Sequence, residues 1–134
     1  MPSRYLLDTN IISDLVKNLH GSCAKRLRAI PSESLATSII VASELRYGCA
    51  KKGSPKLLRQ VEAVLSALEI LPLDVPADRD YGLIRAKLEA AGEPIGLNDL
   101  LIAAHALALG LILVTDNERE FSKVEGLSVE NWLR

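Results

Sequence analysis

Aromatic residues are nearly missing from this sequence: one Phe, one Trp and three Tyr in 134 positions. An all-β sandwich leans on aromatic and β-branched residues in alternation, whereas here Leu, Ala, Ile and Val supply the apolar half of the chain. That composition favours helices packed on a buried sheet. Cysteine is scarce too. Cys23 and Cys49 stand outside any CxxC spacing and without a companion His pair, which excludes a zinc site and a disulfide framework and leaves two reduced, structural thiols. No long hydrophobic run is present: the stretch from Leu100 to Val114 is broken by His105 and Gly110, and Met1-Pro2-Ser3-Arg4-Tyr5 leads into a short strand with no secretory core. A cytoplasmic protein with no membrane partner is expected.

An excess of one charge is also lacking. The formal net charge is -1, so the overall field gives no basic signature for a nucleic-acid partner, and any such role must come from a local site. Gly92 and Gly96 fit neither a GxGxxG nor a Walker loop, and no GxSxG elbow presents a serine nucleophile. At this length one compact domain spanning residues 1–134 is expected.

Strands and helices alternate along the chain. Tyr5-Leu6-Leu7 reads as a short strand ending at Asp8, followed by a helical pattern at Ile11, Ile12, Leu15 and Val16. A helix over Ser22–Ile30 stops at Pro31, a strand over Ser34–Thr37 precedes a helix from about Ser38 to Ala50, and an amphipathic helix covers Lys56–Leu68. Ile70–Leu73 reads as an edge strand because of Pro72. Pro76 opens a helix that Gly92 ends, Asn98–Leu109 is apolar almost all round, and Gly110 is its natural C-cap. Leu111–Thr115 reads as a buried strand, then a turn with Phe121 as anchor, then an edge strand near Leu127–Val129. The alternation predicts an α/β fold with a central, mainly parallel sheet flanked by helices.

Open α/β sheets bind ligands at the carboxyl ends of their strands, and Asp8 and Asp116 both terminate apolar strands. Glu44 has Ile40, Val41, Tyr47 and Gly48 three and four residues either side, which places a carboxylate on an apolar stripe. Asp99 occupies the first turn of the central helix with Ile102 and Ala103 beside it. Asp14, flanked by Asn10, Lys17 and Asn18, is assigned to a solvated face, and Asp78 and Asp80 to the start of a helix, where acids favour the macrodipole. His105 lies six residues past Asp99, off its face, and reads as a core imidazole. Each favoured acid alone has an ordinary structural explanation: a loop acid after a strand, a helix-start acid, a partner for a buried arginine. Together they repel one another. At about 5 Å and an effective dielectric near 20, each ionised pair costs on the order of 3 kcal/mol. Such a cluster wants a cation, and an all-oxygen ligand set suits Mg²⁺, with Mn²⁺ as the alternative. Its natural chemistry is polarisation of a phosphate and activation of water for in-line attack.

Four ordered segments, Leu6-Leu7-Asp8-Thr9-Asn10, Ala42-Ser43-Glu44-Leu45-Arg46-Tyr47-Gly48, Pro94–Asp99 with Ile102–Ala106, and Val114-Thr115-Asp116-Asn117 with Glu120-Phe121, resemble the motifs of VapC-type toxins. The resemblance spans nearly the whole chain. It implies a PIN fold, a Mg²⁺-dependent endoribonuclease that cuts structured RNA such as tRNA, a homodimer, and a VapB-type antitoxin partner. By the same resemblance Asp8 and Asp99 are the principal metal ligands, Glu44 acts directly or through water, Thr115 lends a hydroxyl, and Asn10 braces the turn behind Asp8. Asp116 is the ionisable member of the fourth motif, yet the matching position of the family's pattern is Asn117, so the choice between the two stays open. The Lys56–Leu68 helix is a candidate dimer or antitoxin surface. Arg46, Lys51, Lys52 and Arg85 are candidate phosphate contacts. A catalytically inactive PIN-like scaffold and a PIN nuclease acting on DNA are the other readings. A receiver-like signalling domain needs a lysine where this chain has Asp116-Asn117.

Overall fold

The computed structural model describes residues 4–134, so the Met1–Ser3 part of the N-terminal reading lies outside the described residues. The chain runs β1 (Tyr5–Leu7), α1 (Thr9–Lys17), α2 (Ser22–Arg28), a 3₁₀ turn (Ser32–Ser34), β2 (Leu35–Ser38), α3 (Ile39–Lys52), α4 (Pro55–Ser66) and β3 (Glu69–Leu71). It continues through α5 (Ala77–Ala90), α6 (Leu97–Leu109), β4 (Ile112–Val114), α7 (Glu118–Phe121) and β5 (Val129–Glu130). All five strands are parallel, in the order β3-β2-β1-β4-β5. The sheet is thus wound outward from β1 to one side and from β4 to the other. The carboxyl ends of β1 and β4 form the topological switch point, the crevice where such sheets bind ligands.

Local chemistry accounts for the boundaries of β3, α2, β2 and β5, which depart from the sequence reading, as do those of β4, which spans Ile112–Val114 rather than Leu111–Thr115, and of α3, which runs on to Lys52. β3 ends at Leu71 rather than Leu73 because Pro72 has no N–H to give the ladder. The second helix ends at Arg28, and its last turn tightens, with the Ala29 and Ile30 amides bonding carbonyls three residues back. Ser34 is held in the 3₁₀ turn by its bond to the Pro31 carbonyl, so β2 starts at Leu35. Near the end of the chain Gly126 adopts φ 86° and the Leu127 amide still bonds the Val124 carbonyl, which delays β5 to Val129.

Two helices frame the crevice. The Ser38 hydroxyl caps α3 by accepting the Ile40 amide, and Gly53 at φ 64° closes its far end. Gly110, at φ 66°, ends α6 in the left-handed conformation that a Cβ disfavours. Five consecutive α6 residues, Ile102 to Ala106, are buried, as an apolar pattern all round the helix requires. All but His105 join Leu6, Leu7, Ile11, Ile12, Val41, Leu113, Val114 and Phe121 in one contiguous core. On α4, Val61 and Leu65 face that core while Leu58 stays exposed. No helix among the described residues is long and apolar enough to cross a membrane. Cys23 and Cys49 are buried free thiols, and burial, then the nearby Asp14 and Asp116, pushes the Cys23 thiol up to about 12.

Candidate active site

β1 and β4 lie side by side, Leu7 level with Val114, and the Asp8 amide extends the ladder by bonding the Val114 carbonyl at 2.9 Å. This pins Asp8 against the turn that follows β4. Its carboxylate is only 4% exposed. One oxygen accepts the Thr9 amide at 2.8 Å, capping α1, and the other accepts the Thr115 hydroxyl at 2.8 Å. Burial nevertheless outweighs both bonds and holds the Asp8 carboxyl above its ordinary value.

Thr115 is fully buried, and its oxygen also accepts the Asn117 amide at 3.0 Å. Asn10 is expected by resemblance to brace the turn behind Asp8. Its carbonyl oxygen accepts the Asp116 amide at 2.9 Å, and its side-chain nitrogen lies 3.5 Å from the Thr115 hydroxyl. Asn10 therefore fastens the first turn of α1 to the end of β4.

Glu44 reaches the same place from α3. The buried line of that helix is Val41, Ala42, Leu45 and Cys49, not the expected stripe through Tyr47, which is 65% exposed. Glu44 flanks that line, half-buried, and turns to the cleft, where the Thr9 hydroxyl donates to it at 3.2 Å. Burial first, and then Asp8, raise its pKa against the pull of the Thr9 and Asn98 bonds. Asp99, in the first turn of α6, is pushed up to about 6 by burial and then by Asp8, Glu44 and Glu120. These acids thus feel one another, and among the described residues none of Asp8, Glu44 and Asp99 is ion-paired.

Asp116 is exposed and lines the cleft beside Asn117, with one carboxylate oxygen accepting from the Asn131 amide group at 3.0 Å. The acid from this side that bears on Asp99 is Glu120. The sequence reading quoted it only as part of a motif. The signal was its position three residues past Asn117, which becomes one face only because this segment is the helix α7 rather than the expected turn. Asp14 also needs correction: it is half-buried and lines the cleft, where a solvated face was expected. Two of the four candidate phosphate contacts are committed elsewhere, Arg46 to Glu62 at 2.9 Å and Arg85 to Glu89 at 3.0 Å.

His105 stands apart from the cleft. It is buried, and its Nδ1 lies 2.8 Å from the Ser38 hydroxyl that caps α3. Burial lowers its pKa, so the imidazole is neutral and buttresses the helix that carries Glu44.

The cleft has a volume of about 570 Å³. Its donors are carboxylate, hydroxyl and amide oxygens, the set a hard divalent cation prefers, and the carboxyl pKa values are raised by burial first and, for Glu44 and Asp99, by neighbouring acids as well. Among the described residues no three carboxylate, imidazole or thiol groups close around one point. An open half-shell of one or two carboxylates completed by water is the way Mg²⁺ is usually held.

The PIN domain family model matches residues 5–127. The chain belongs to the PIN-domain family. Within it the chain is 38% identical over 130 residues to the tRNA(fMet)-specific endonuclease VapC of Shigella flexneri, covering 96% of this chain and 98% of that one. It is 40% identical over 131 residues to ribonuclease VapC2 of Haemophilus influenzae, with coverage of 97% and 98%. Among solved structures, the DNA-bound VapBC of Salmonella typhimurium contains a chain that superposes with a TM-score of 0.89 at 36% identity, covering 98% of this chain and 99% of that one. Membership of this family makes the chain an endoribonuclease by class, and PIN-domain VapC nucleases are generally divalent-metal dependent.

Proposed function

We propose that this chain is the toxin of a type II toxin–antitoxin pair: a single-domain, Mg²⁺-dependent endoribonuclease that acts in the cytoplasm on structured RNA, with tRNA as its substrate class. The observation that carries the reading is the meeting of Asp8, Glu44 and Asp99, from three separate segments, in one cleft at the switch point with no basic partner among the described residues. The substrate class is supported by the name of the Shigella relative. A VapB-type antitoxin as partner is supported by the VapBC complexes of Salmonella typhimurium and Rickettsia felis, both bound to DNA. The apolar groove of about 350 Å³ between α1, α2 and α4, lined by Leu15, Leu19, Leu27 and Val64 among others, is the surface offered to it. The active toxin is a homodimer.

In this reading Asp8 and Asp99 are the principal metal ligands, Glu44 acts directly or through water, and Asp116 and Glu120 extend the acid set. A bound Mg²⁺ supplies Lewis acidity to the scissile phosphate and makes the attacking water a better nucleophile. The protein's own work is positioning. Thr9 and Thr115 fix both oxygens of Asp8, Asn10 ties the two strand ends together, and the Asn117 amide holds the Thr115 hydroxyl in place. With its pKa near 6, Asp99 is suited to exchange a proton at neutral pH when no cation is bound.

Incubation of purified tRNA with the chain and Mg²⁺ is expected to give discrete fragments with 5′-phosphate and 3′-hydroxyl ends, and none in EDTA. Intact tRNA with either Mg²⁺ or Mn²⁺, or cleavage that persists in EDTA, would overturn the reading.

A further inference from the structure

The polar residues of α1 fall on one line. Asn10, Ser13, Asp14 and Lys17 recur at i, i+3, i+4 and i+7, and all four line the acidic cleft, while Ile11, Ile12 and Leu15 are buried behind them. The line leads away from Asp8 to a second hollow of about 570 Å³ over the C-terminal end of the helix, bounded by His20 and Ser22. The two hollows share Asp14, Lys17 and Leu133 and so adjoin, forming an open surface channel along α1.

Lys17 is the sole cation among the described residues lining the cleft, against Asp8, Asp14, Glu44, Asp99 and Asp116. Its natural helical partner is Asp14, three residues earlier, but one Asp14 carboxylate oxygen accepts instead from the Asn18 amide group at 2.6 Å. Lys17 is exposed and makes no ion pair among the described residues, whereas Arg4, Arg26, Arg46 and Arg85 each hold a carboxylate. What sets Lys17 apart from the other unpaired bases is its place at the rim of the acidic cleft, where its charge is available to a group from outside the chain.

We propose that Lys17 anchors the RNA backbone, holding a phosphate on one side of the cut, and that the channel it marks is the path of the strand on that side. The proposal rests on the ribonuclease reading of the same cleft. Seven residues of helix separate Asn10 from Lys17, about 10 Å. A lysine holding phosphate fixes register without reading bases, so it acts on KM for every sequence alike.

The test is steady-state cleavage of the tRNA that the wild type cuts, over a range of salt concentrations, by the wild type, Lys17→Ala, Lys17→Arg and Lys87→Ala, with purified total tRNA as substrate if no single species is cut. Lys87 is the control, because its pair with Glu125 borders a different hollow. Lys17→Ala is expected to raise KM roughly five- to tenfold with kcat within about twofold, and to lower the slope of log KM against log salt by about 0.7 to 0.9. Lys17→Arg restores both, and Lys87→Ala changes neither. Cleavage by the wild type with the KM and salt slope of Lys17→Ala unchanged overturns the anchor alone. Absence of any cleavage by the wild type overturns the ribonuclease reading and the anchor with it.

Discussion

Asp99→Asn is expected to lower RNA cleavage by about 10³-fold or more while making the metal-free protein more stable at neutral pH. The two effects share one cause. Asp99 is pushed to about 6 by burial and by the neighbouring Asp8, Glu44 and Glu120, from an ordinary value of 3.8. Between those two values the folded state holds a proton that the unfolded chain has released. Stability therefore falls as pH rises through that window, and the penalty is complete above about pH 6. At one pKa unit per 1.4 kcal/mol, and discounted for the solvent screening of a half-buried group, the penalty is on the order of 1–2 kcal/mol. The amide has nearly the same shape and no charge, so it removes the repulsion together with the ligand. In EDTA the wild type melts at a lower temperature at pH 7.5 than at pH 5, and Asp99→Asn flattens that dependence. A folded Asp99→Asn protein that cuts RNA at the wild-type rate in Mg²⁺ would remove Asp99 from the chemistry.

Thr115→Val is expected to cost stability and metal affinity at once. The hydroxyl of the fully buried Thr115 donates to Asp8 and accepts the Asn117 amide at the floor of the cleft. Valine fills the same volume, leaves an Asp8 oxygen without its donor and strands an N–H. Each buried unpaired group costs about 1–3 kcal/mol, so a loss of about 2–4 kcal/mol is expected in a urea melt. Without the hydroxyl the Asp8 carboxyl rises further above its ordinary value, and the Mg²⁺ concentration for half-maximal cleavage increases about 10- to 100-fold. Thr115→Ser keeps the donor and recovers most of both. An unchanged urea midpoint for the valine variant would mean that the Thr115 hydroxyl is not what holds Asp8.

How far these features were legible in the sequence follows from how local their causes are. Asp8 and Asp116 were legible as cleft residues because each follows a short apolar strand, and a parallel sheet carries both strand ends to one rim, whereas the Thr115 hydroxyl entered only through the family resemblance. The amphipathic and all-apolar helical patterns gave α4 and α6 nearly to the residue, since caps such as Ser54, Gly53 and Gly110 are written in single residues. Pairings at long sequence distance were not legible. That Asn10 reaches the Asp116 amide, and Thr9 the Glu44 carboxylate, depends on which strands are neighbours and on the angle at which α3 crosses. Glu44 was drawn into the right region by the wrong stripe: helical spacing counts Tyr47 as apolar, and packing leaves it in solvent. Glu120 escaped for a different reason, because a four-residue helix carries too little periodicity to announce a face. Asp14 was misplaced because its polar neighbours, Asn10 and Lys17, are themselves cleft residues rather than signs of open solvent.

The central claim is that Asp8, Glu44 and Asp99 form one acid cluster waiting for a divalent cation. Proton release on adding Mg²⁺ at pH 6, followed in a weakly buffered solution alongside the melting temperature, tests it most directly. At least about half a proton per chain is expected to be released, with a rise in melting temperature, because a cation displaces the protons that the raised carboxyl pKa values retain. In Asp99→Asn both signals shrink. A titration that releases no proton and leaves the wild-type melting temperature unmoved would contradict the cluster and return these carboxylates to the ordinary surface.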